Sequence, residues 1–132
     1  MSYELKWLIY TTVLTSLLWV PYILNRISVR GLLPAMGYAD ETAAPHAPWA
    51  ARAMKAHSNA VENLVLFAPL VLALHVLGIS NDTTQMAVLV YFAMRVVHYF
   101  AYVFAVPVLR TLVFAVSWVA LLALAYQALG GL

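Results

Sequence analysis

The sequence has no cysteine and very little charge. Of its 132 residues, 9% are charged and 65% are hydrophobic, whereas a soluble domain carries about 25% charged and about 45–50% apolar residues. The lack of cysteine excludes disulfides, thiolate metal sites and a cysteine nucleophile. A net charge of +2 is too small and too scattered to indicate nucleic-acid binding. No soluble core of this size can bury so much apolar surface, so the composition indicates an integral membrane protein.

Four apolar segments are long enough to cross a bilayer, which takes about 20 residues of helix. The predicted spans are Leu5–Leu24, Ala60–Ile79, Met86–Val106 and Thr111–Leu129. The second helix should begin earlier, near Pro48 or Trp49, because proline is tolerated in a first helical turn. The first run lacks a small-residue cleavage site, so we interpret it as a span rather than a signal peptide. We expect one domain over residues 1–132 and an all-α membrane fold, a four-transmembrane-helix bundle.

The connections between the spans differ in length and charge. Residues 25–47 form a long polar loop, residues 80–84 a short turn that offers an N-cap to the third span, and residues 107–110 a very short turn. Five cations lie in or beside the first and third connections: Arg26, Arg30, Arg52, Lys55 and Arg110. Lys6 is the one cation on the other side. By the positive-inside rule, both connections should be cytoplasmic and both termini outside.

Polar side chains form one stripe on each of two spans. Residues three or four apart share a helix face. The first stripe is Arg52, Lys55, Asn59 and Glu62, and the second is Tyr91, Arg95, His98 and Tyr102. A charge in the membrane interior costs at least about 2.5 kcal/mol. Since neighbouring spans run antiparallel, both stripes should converge on the cytoplasmic half of the bundle.

Two interpretations of these stripes remain open. Glu62 and Arg95 could form a structural ion pair, with Asn59 and His98 as polar contacts between helices. The remaining cations, balanced only by Asp40 and Glu41 nearby, favour instead an anionic ligand, because arginine and lysine bind carboxylates strongly where water is scarce. Interfacial cations also serve as topology anchors. We expect no metal site, because His57 and His75 lie about five turns apart on one helix.

Two segments resemble a known family. Residues 52–63, with Arg52, His57, Asn59 and Glu62, are similar to the second-span signature of the membrane-associated proteins in eicosanoid and glutathione metabolism (MAPEG). Residues 95–102, followed by Pro107 and Arg110, are similar to its third-span signature. Together with the four spans, the resemblance covers essentially the whole chain. It points to a bacterial member like the microsomal glutathione transferases, in an inner membrane.

The resemblance implies a homotrimer that binds glutathione as co-substrate between subunits, on the cytoplasmic side. It implies glutathione contacts for Asn59 and Glu62, with Glu62 near the amino group. The further lining residues that it implies are Arg26 from a neighbouring subunit, Arg52, Lys55, Arg95, His98 and Tyr102. Arg110 matches the arginine that stabilises the thiolate, although as a lone charge in its turn it could equally be a topology anchor. Many members of the family have arginine at the position of Lys55. At the position of Asn63 the leukotriene synthase branch has tyrosine, so the sequence resembles the microsomal transferase branch there.

The expected function is a glutathione transferase or peroxidase that acts on hydrophobic electrophiles or lipid hydroperoxides delivered from the lipid. Two other classes stay open. A non-catalytic membrane scaffold of the same fold would keep the bundle without the chemistry. A small four-span transporter would use Glu62 for proton coupling, although the cations beside it suit anion binding better.

Overall fold

A computed structural model describes residues 1–37 and 44–130 of the chain, and these residues form helices and connections without a strand. The helices are α1 (Tyr3–Leu17), α2 (Val20–Arg30), α3 (Leu32–Ala35), α4 (Pro48–Leu77), α5 (Asp82–Val103) and α6 (Pro107–Ala128). Four segments are long and apolar enough to cross a membrane: residues 3–30, which combine α1 and α2, and α4, α5 and α6. The predicted all-α, four-span architecture is therefore confirmed.

The first span is longer than predicted and is interrupted. Instead of one helix ending at Leu24, α1 ends at Leu17 and α2 continues to Arg30. Pro21 explains the break, because proline has no N–H to donate to the carbonyl four residues earlier. The polar connection therefore begins later than Asn25 and includes the short α3. Asp40 and Glu41, the predicted acidic residues of this connection, lie outside the described residues.

The remaining helix ends follow local backbone chemistry. Helix α4 begins at Pro48, as predicted. Asn81 caps α5 in a reciprocal capping box with Thr84, which confirms the predicted cap in this turn. Helix α5 ends at Val103, before the predicted Val106, and Ala105 has a left-handed φ of 57°. Pro107 then starts α6, four residues ahead of the predicted Thr111, because proline fits a first helical turn.

Contacts between helix ends show how the spans run. At one end, the Glu4 side chain accepts hydrogen bonds from Ser80 in the α4–α5 turn and from Thr84 in the first turn of α5. Asn81 in the α4–α5 turn donates to Gln127 of α6. We name this end the Glu4 end. At the other, Arg52 near the start of α4 donates to the carbonyl of Val103 at the end of α5. We name this the Tyr102 end. The spans thus alternate in direction.

The two halves of the bundle have different cores. Towards the Glu4 end, large apolar side chains fill the interior, with the rings of Phe67 and Tyr91 stacked 3.9 Å apart. Towards the Tyr102 end, α4 presents a buried row of alanines: Ala50, Ala53, Ala56 and Ala60. Small residues let neighbouring helices approach closely, and the core of this half also contains Leu18 and Tyr99. The polar stripe of α4 is thereby directed away from this row.

Candidate functional site

Tyr102 lines three adjoining clefts at its end of the bundle, which we call the Tyr102 clefts. The first, of about 450 Å³, is also lined by Met54, Lys55, Ser58, Asn59 and Glu62. The second, of about 290 Å³, is also lined by Asn59, His98, Arg110, Thr111 and Phe114. The third, of about 130 Å³, is also lined by Arg52, Ala101, Ala105, Val106, Pro107 and Arg110. The clefts bring together side chains of α4, α5 and α6.

Seven of the nine site residues predicted from the sequence line these clefts: Arg52, Lys55, Asn59, Glu62, His98, Tyr102 and Arg110. The α4 stripe and the His98–Tyr102 part of the α5 stripe therefore converge on one end of the bundle, as the helical spacing predicts. Tyr91, the first member of the α5 stripe, packs instead on Phe67 in the core of the other half. The lining carries three cationic side chains and one carboxylate. Such a balance favours an anionic group, or a zwitterion with more acid than amine.

Arg95 lies beneath the clefts and is 4% exposed. Its Nη2 atom donates to Asn59 Oδ1 at 2.6 Å and lies 3.5 Å from His98 Nδ1. Its Nε and Nη1 atoms have no hydrogen-bond partner within residues 1–37 and 44–130. The direct ion pair between Glu62 and Arg95, one of the two interpretations left open above, is not formed within one chain. The reason is that Arg95 turns towards Asn59, whereas the Glu62 side chain is exposed on the first cleft.

Arg110 lines two of the clefts and lies over an aromatic ring. Its guanidinium carbon is 4.9 Å from the centroid of the Tyr102 ring, within the range of a cation–π interaction. The His98 ring lies edge-on to Tyr102, with 5.6 Å between centroids. Pro107 starts α6 and so places Arg110 in its first turn. The ring contact holds the cation beside the clefts and occupies none of its N–H donors.

Two of the other predicted cations, Arg52 and Arg26, have partners on the backbone, and Lys55 is exposed. Arg52 Nε donates to the carbonyl of Val103 at 2.9 Å, so this side chain caps α5 while it lines the third cleft. Arg26 donates to the carbonyl of Gly37 at 3.2 Å and lines none of the Tyr102 clefts. Lys55 is exposed on the first cleft. Within one chain, the structure therefore does not bring Arg26 into the site.

His46 lies in the connection before α4, near the cations of α2. Burial, together with the positive charges of Arg30 and Arg26, lowers the pKa of His46 below its usual value. A histidine with a lowered pKa is neutral at pH 7. The two cations of α2 thus add to burial in disfavouring the protonated form of His46.

The contact between Tyr22 and His57 fixes α2 against α4. The Tyr22 hydroxyl is hydrogen-bonded to His57 Nδ1 at 2.7 Å, and the Tyr99 hydroxyl donates to the carbonyl of Leu18 at 3.2 Å. Both bonds cross between the first span and its neighbours at the point where α1 gives way to α2. They hold the interrupted span in place, and they give His57 a structural partner away from the clefts.

Several residues at the site were not predicted from the sequence. Four uncharged residues also line the clefts: Met54, Ser58, Thr111 and Phe114. The sequence does not show whether an uncharged helix residue faces a cleft or packs against another helix. Asn63 is different, because its side-chain amide donates to Asn59. The four-residue spacing of these two asparagines was visible in the sequence and would have indicated the contact.

The fold and the clefts define an all-helical integral membrane protein of four antiparallel spans, with a cation-rich site at one end. The family model for MAPEG matches residues 6–130. The chain therefore belongs to the MAPEG family, which confirms the resemblance described above. No curated protein is significantly similar to it.

Proposed function

We propose that the chain binds glutathione in the Tyr102 clefts and acts as a glutathione transferase or peroxidase on hydrophobic electrophiles or lipid hydroperoxides. The observation that supports this most is the lining itself: three cations and one carboxylate around Tyr102. Glutathione carries two carboxylates and one ammonium group, so its charges complement that lining. Membership in the MAPEG family gives independent support.

The proposed roles follow from charge and position. Lys55 and Arg52 face the glutathione carboxylates, and the exposed Glu62 carboxylate accepts from its ammonium group. His98 and Tyr102 form the wall between α5 and the ligand. Arg95 lies beneath the clefts and does not touch the ligand, but its hydrogen bond positions Asn59, which does. Arg26 would reach the ligand only from a neighbouring subunit, because it lines none of the clefts of its own chain.

Arg110 is the proposed activator of the sulfur. A free thiol has a pKa of about 8.5, so at pH 7 little of it is the reactive thiolate. A cation beside the sulfur favours the thiolate, and one unit of pKa corresponds to about 1.4 kcal/mol. In conjugation, the thiol proton passes to water, the sulfur forms a bond to the electrophilic carbon, and the leaving group departs with its electron pair. In the peroxidase reaction, two glutathiones reduce one hydroperoxide to an alcohol and water and become a disulfide.

We further propose a homotrimer with the Tyr102 end in the cytoplasm. Two guanidinium nitrogens of Arg95 lack partners within the part of the chain that the structure describes, and the Glu62 carboxylate is exposed. Unpaired charge at membrane depth is costly, so a neighbouring subunit or a ligand should complete this region. Sedimentation in detergent should show three chains per particle, and a purely monomeric protein would refute the assembly.

Calorimetric titration with glutathione in detergent, paired with a conjugation assay on a hydrophobic aryl halide, tests the proposal. We expect saturable binding and enzyme-dependent release of halide. Binding without turnover of either an aryl halide or a lipid hydroperoxide would indicate a scaffold that retains the pocket. Absence of binding by a correctly assembled protein would refute the proposed function.

A further inference from the structure

The side-chain amide of Asn59 is held in one orientation by Arg95. The atom of Asn59 that lies 2.6 Å from Arg95 Nη2 is Oδ1. A guanidinium group only donates hydrogen bonds and has no acceptor. The amide nitrogen in that place would bring two donors face to face. The contact with a buried arginine therefore fixes which half of the amide is oxygen.

Asn63 also fixes the orientation of the Asn59 side-chain amide. Its Nδ2 atom lies one helical turn further along α4, 2.8 Å from the main-chain carbonyl of Asn59 and 3.3 Å from Asn59 Oδ1. Both atoms that it faces are acceptors, so this position also requires the amide nitrogen. Asn59 Oδ1 then receives one donor from α5 and one from α4. An amide oxygen has two lone pairs, and both are used inside the protein.

The same geometry leaves the amide nitrogen of Asn59 facing outwards. Within the described part of the chain, no acceptor engages Asn59 Nδ2, and this atom is not among the buried unpartnered ones. Asn59 lines both the first and the second Tyr102 cleft. We infer that Asn59 offers these clefts a hydrogen-bond donor only, and that Asn63 is a positioning residue that, together with Arg95, keeps the amide from turning over.

This inference rests on the proposed function and sharpens it. Asn59 and Glu62 lie three residues apart and line the first cleft together. Asn59 presents a donor there, whereas the exposed Glu62 carboxylate is an acceptor. The ligand should therefore place an acceptor, a carboxylate or peptide carbonyl of glutathione, against Asn59, and its ammonium group against Glu62. The reverse placement would set donor against donor at Asn59.

The Asn59→Asp variant removes the Nδ2 donor that faces the clefts and keeps an oxygen in the place of Oδ1. Aspartate is nearly the same shape, its oxygen still accepts from Arg95 and Asn63, and it pairs with the Arg95 charge. It has no N–H to offer the clefts. We expect an unfolding midpoint in detergent equal to or above that of the wild type, and glutathione binding weakened roughly 10-fold or more, as a lost charge-assisted hydrogen bond would give. Ser58→Asp, which adds the same charge to the first cleft and keeps the donor, should weaken binding less.

Asn63→Leu tests the positioning role. Leucine has a similar size but no donor, so Asn59 would gain freedom to rotate, and glutathione should bind about 3–10-fold more weakly, in the range of one neutral hydrogen bond. In the Asn59→Asp background, no donor remains to be positioned. Asn63→Leu should then change the dissociation constant by less than about 2-fold. An equal loss in both backgrounds would mean a merely structural role and would overturn the positioning claim.

The outcomes distinguish this inference from the proposed function. Wild-type protein that binds glutathione, with Asn59→Asp binding equally well, would overturn the inference and leave the function intact. Wild-type protein that does not bind would refute the function, and the unfolding midpoints would still test the orientation. A marked fall of the midpoint in Asn59→Asp would show that the buried atom is not the oxygen.

Discussion

Two polar clusters are buried at opposite ends of this bundle, and they differ in how fully their hydrogen bonds are satisfied. At the Glu4 end, a carboxylate that is 2% exposed accepts from the Ser80 hydroxyl at 2.9 Å and from the Thr84 hydroxyl at 2.5 Å. At the Tyr102 end, the equally buried Arg95 has one close partner, Asn59, and two nitrogens without any among the residues described. Burial alone does not distinguish the two groups.

The difference indicates what each cluster is for. A buried polar group without a partner costs about 1–3 kcal/mol, and more if it is charged, so most such groups are paired. The Glu4 cluster joins α1 to the α4–α5 turn and is complete within one chain. The Arg95 cluster adjoins open clefts and remains incomplete, which is the condition expected where a ligand or a neighbouring subunit supplies the missing acceptors. Mutations at the two ends should therefore affect different properties.

The largest effect is expected for Arg110→Ala. Loss of one preorganised electrostatic group typically costs about 10²–10³-fold in turnover, so we expect turnover to fall on the order of 10²-fold. The ultraviolet absorbance of the thiolate should also fall, and the glutathione affinity should stay nearly unchanged. The measurements are halide release and ultraviolet difference absorbance. Arg30→Ala is the matched control, because it removes the same charge at the same end from a side chain that bonds the Ala44 carbonyl. Unchanged turnover and thiolate absorbance in Arg110→Ala would leave this residue as a topology anchor.

Glu4→Ala should break the other cluster. It removes the acceptor of the Ser80 and Thr84 hydroxyls, so the free energy of unfolding should fall by about 2 kcal/mol, with no change in glutathione affinity because Glu4 lies at the opposite end. Thermal unfolding in detergent and calorimetry measure the two quantities. Thr83→Ala, an exposed neighbour in the first turn of α5, should leave both unchanged. A fall in affinity at equal folded fraction would mean that the two ends are coupled.

Glu62→Gln sharpens the contrast between two glutamates. Glu62 is exposed on the first cleft and makes no ion pair with another of the described residues, so its neutralisation should reduce glutathione affinity about 10-fold, the effect of a lost charged partner. The stability of the single bundle should hardly change. Titration calorimetry and thermal unfolding provide the two readouts. If Glu62→Gln lowers the unfolding midpoint as much as Glu4→Ala does, Glu62 is a structural partner, and a neighbouring subunit's cation becomes the natural candidate.

The smallest effect concerns His46 and pH. The folded-state pKa of His46 lies below its usual value, whereas in the unfolded chain the pKa is about 6.5. The folded state therefore disfavours protonation, and the stability that this histidine contributes is present above pH 6.5 and is lost as the pH falls through the folded pKa. His46→Gln should reduce the loss of unfolding midpoint between pH 7 and pH 5, by a small amount. An identical pH profile in the variant would show that other groups dominate.

The lengths of the apolar runs predicted the spans, and helical spacing predicted most of the residues that line the Tyr102 clefts. Lys55, Asn59 and Glu62 lie on one face at any rotation of α4, and antiparallel neighbours bring the α5 stripe to the same end. Spacing could not predict which donor meets which acceptor. Glu62 and Arg95 carry opposite charges, so an ion pair between them was one of the two interpretations that the sequence left open. The structure instead directs Arg95 to Asn59, a preference that only the rotation and depth of α5 against α4 can decide.

The helix boundaries at Pro21 and Pro107 were also only partly predictable from the sequence. Pro21 was visible, but whether it would end a span or interrupt one depended on how α2 packs beyond it, through contacts such as that between Tyr22 and His57. Likewise, Pro107 indicated a helix boundary, but the sequence did not show whether it marks the end of α5 or the beginning of α6. The contact of Arg110 with the Tyr102 ring followed only from the structure.

A structure of the protein in lipid nanodiscs at saturating glutathione would test the central claim most directly. The account predicts ligand density in the Tyr102 clefts, with a carboxylate or carbonyl oxygen within hydrogen-bond distance of Asn59 Nδ2, the sulfur beside Arg110, and no ligand at the Glu4 cluster. Density at another location, or clefts filled by lipid or by a neighbouring subunit's side chains while glutathione is absent, would contradict it.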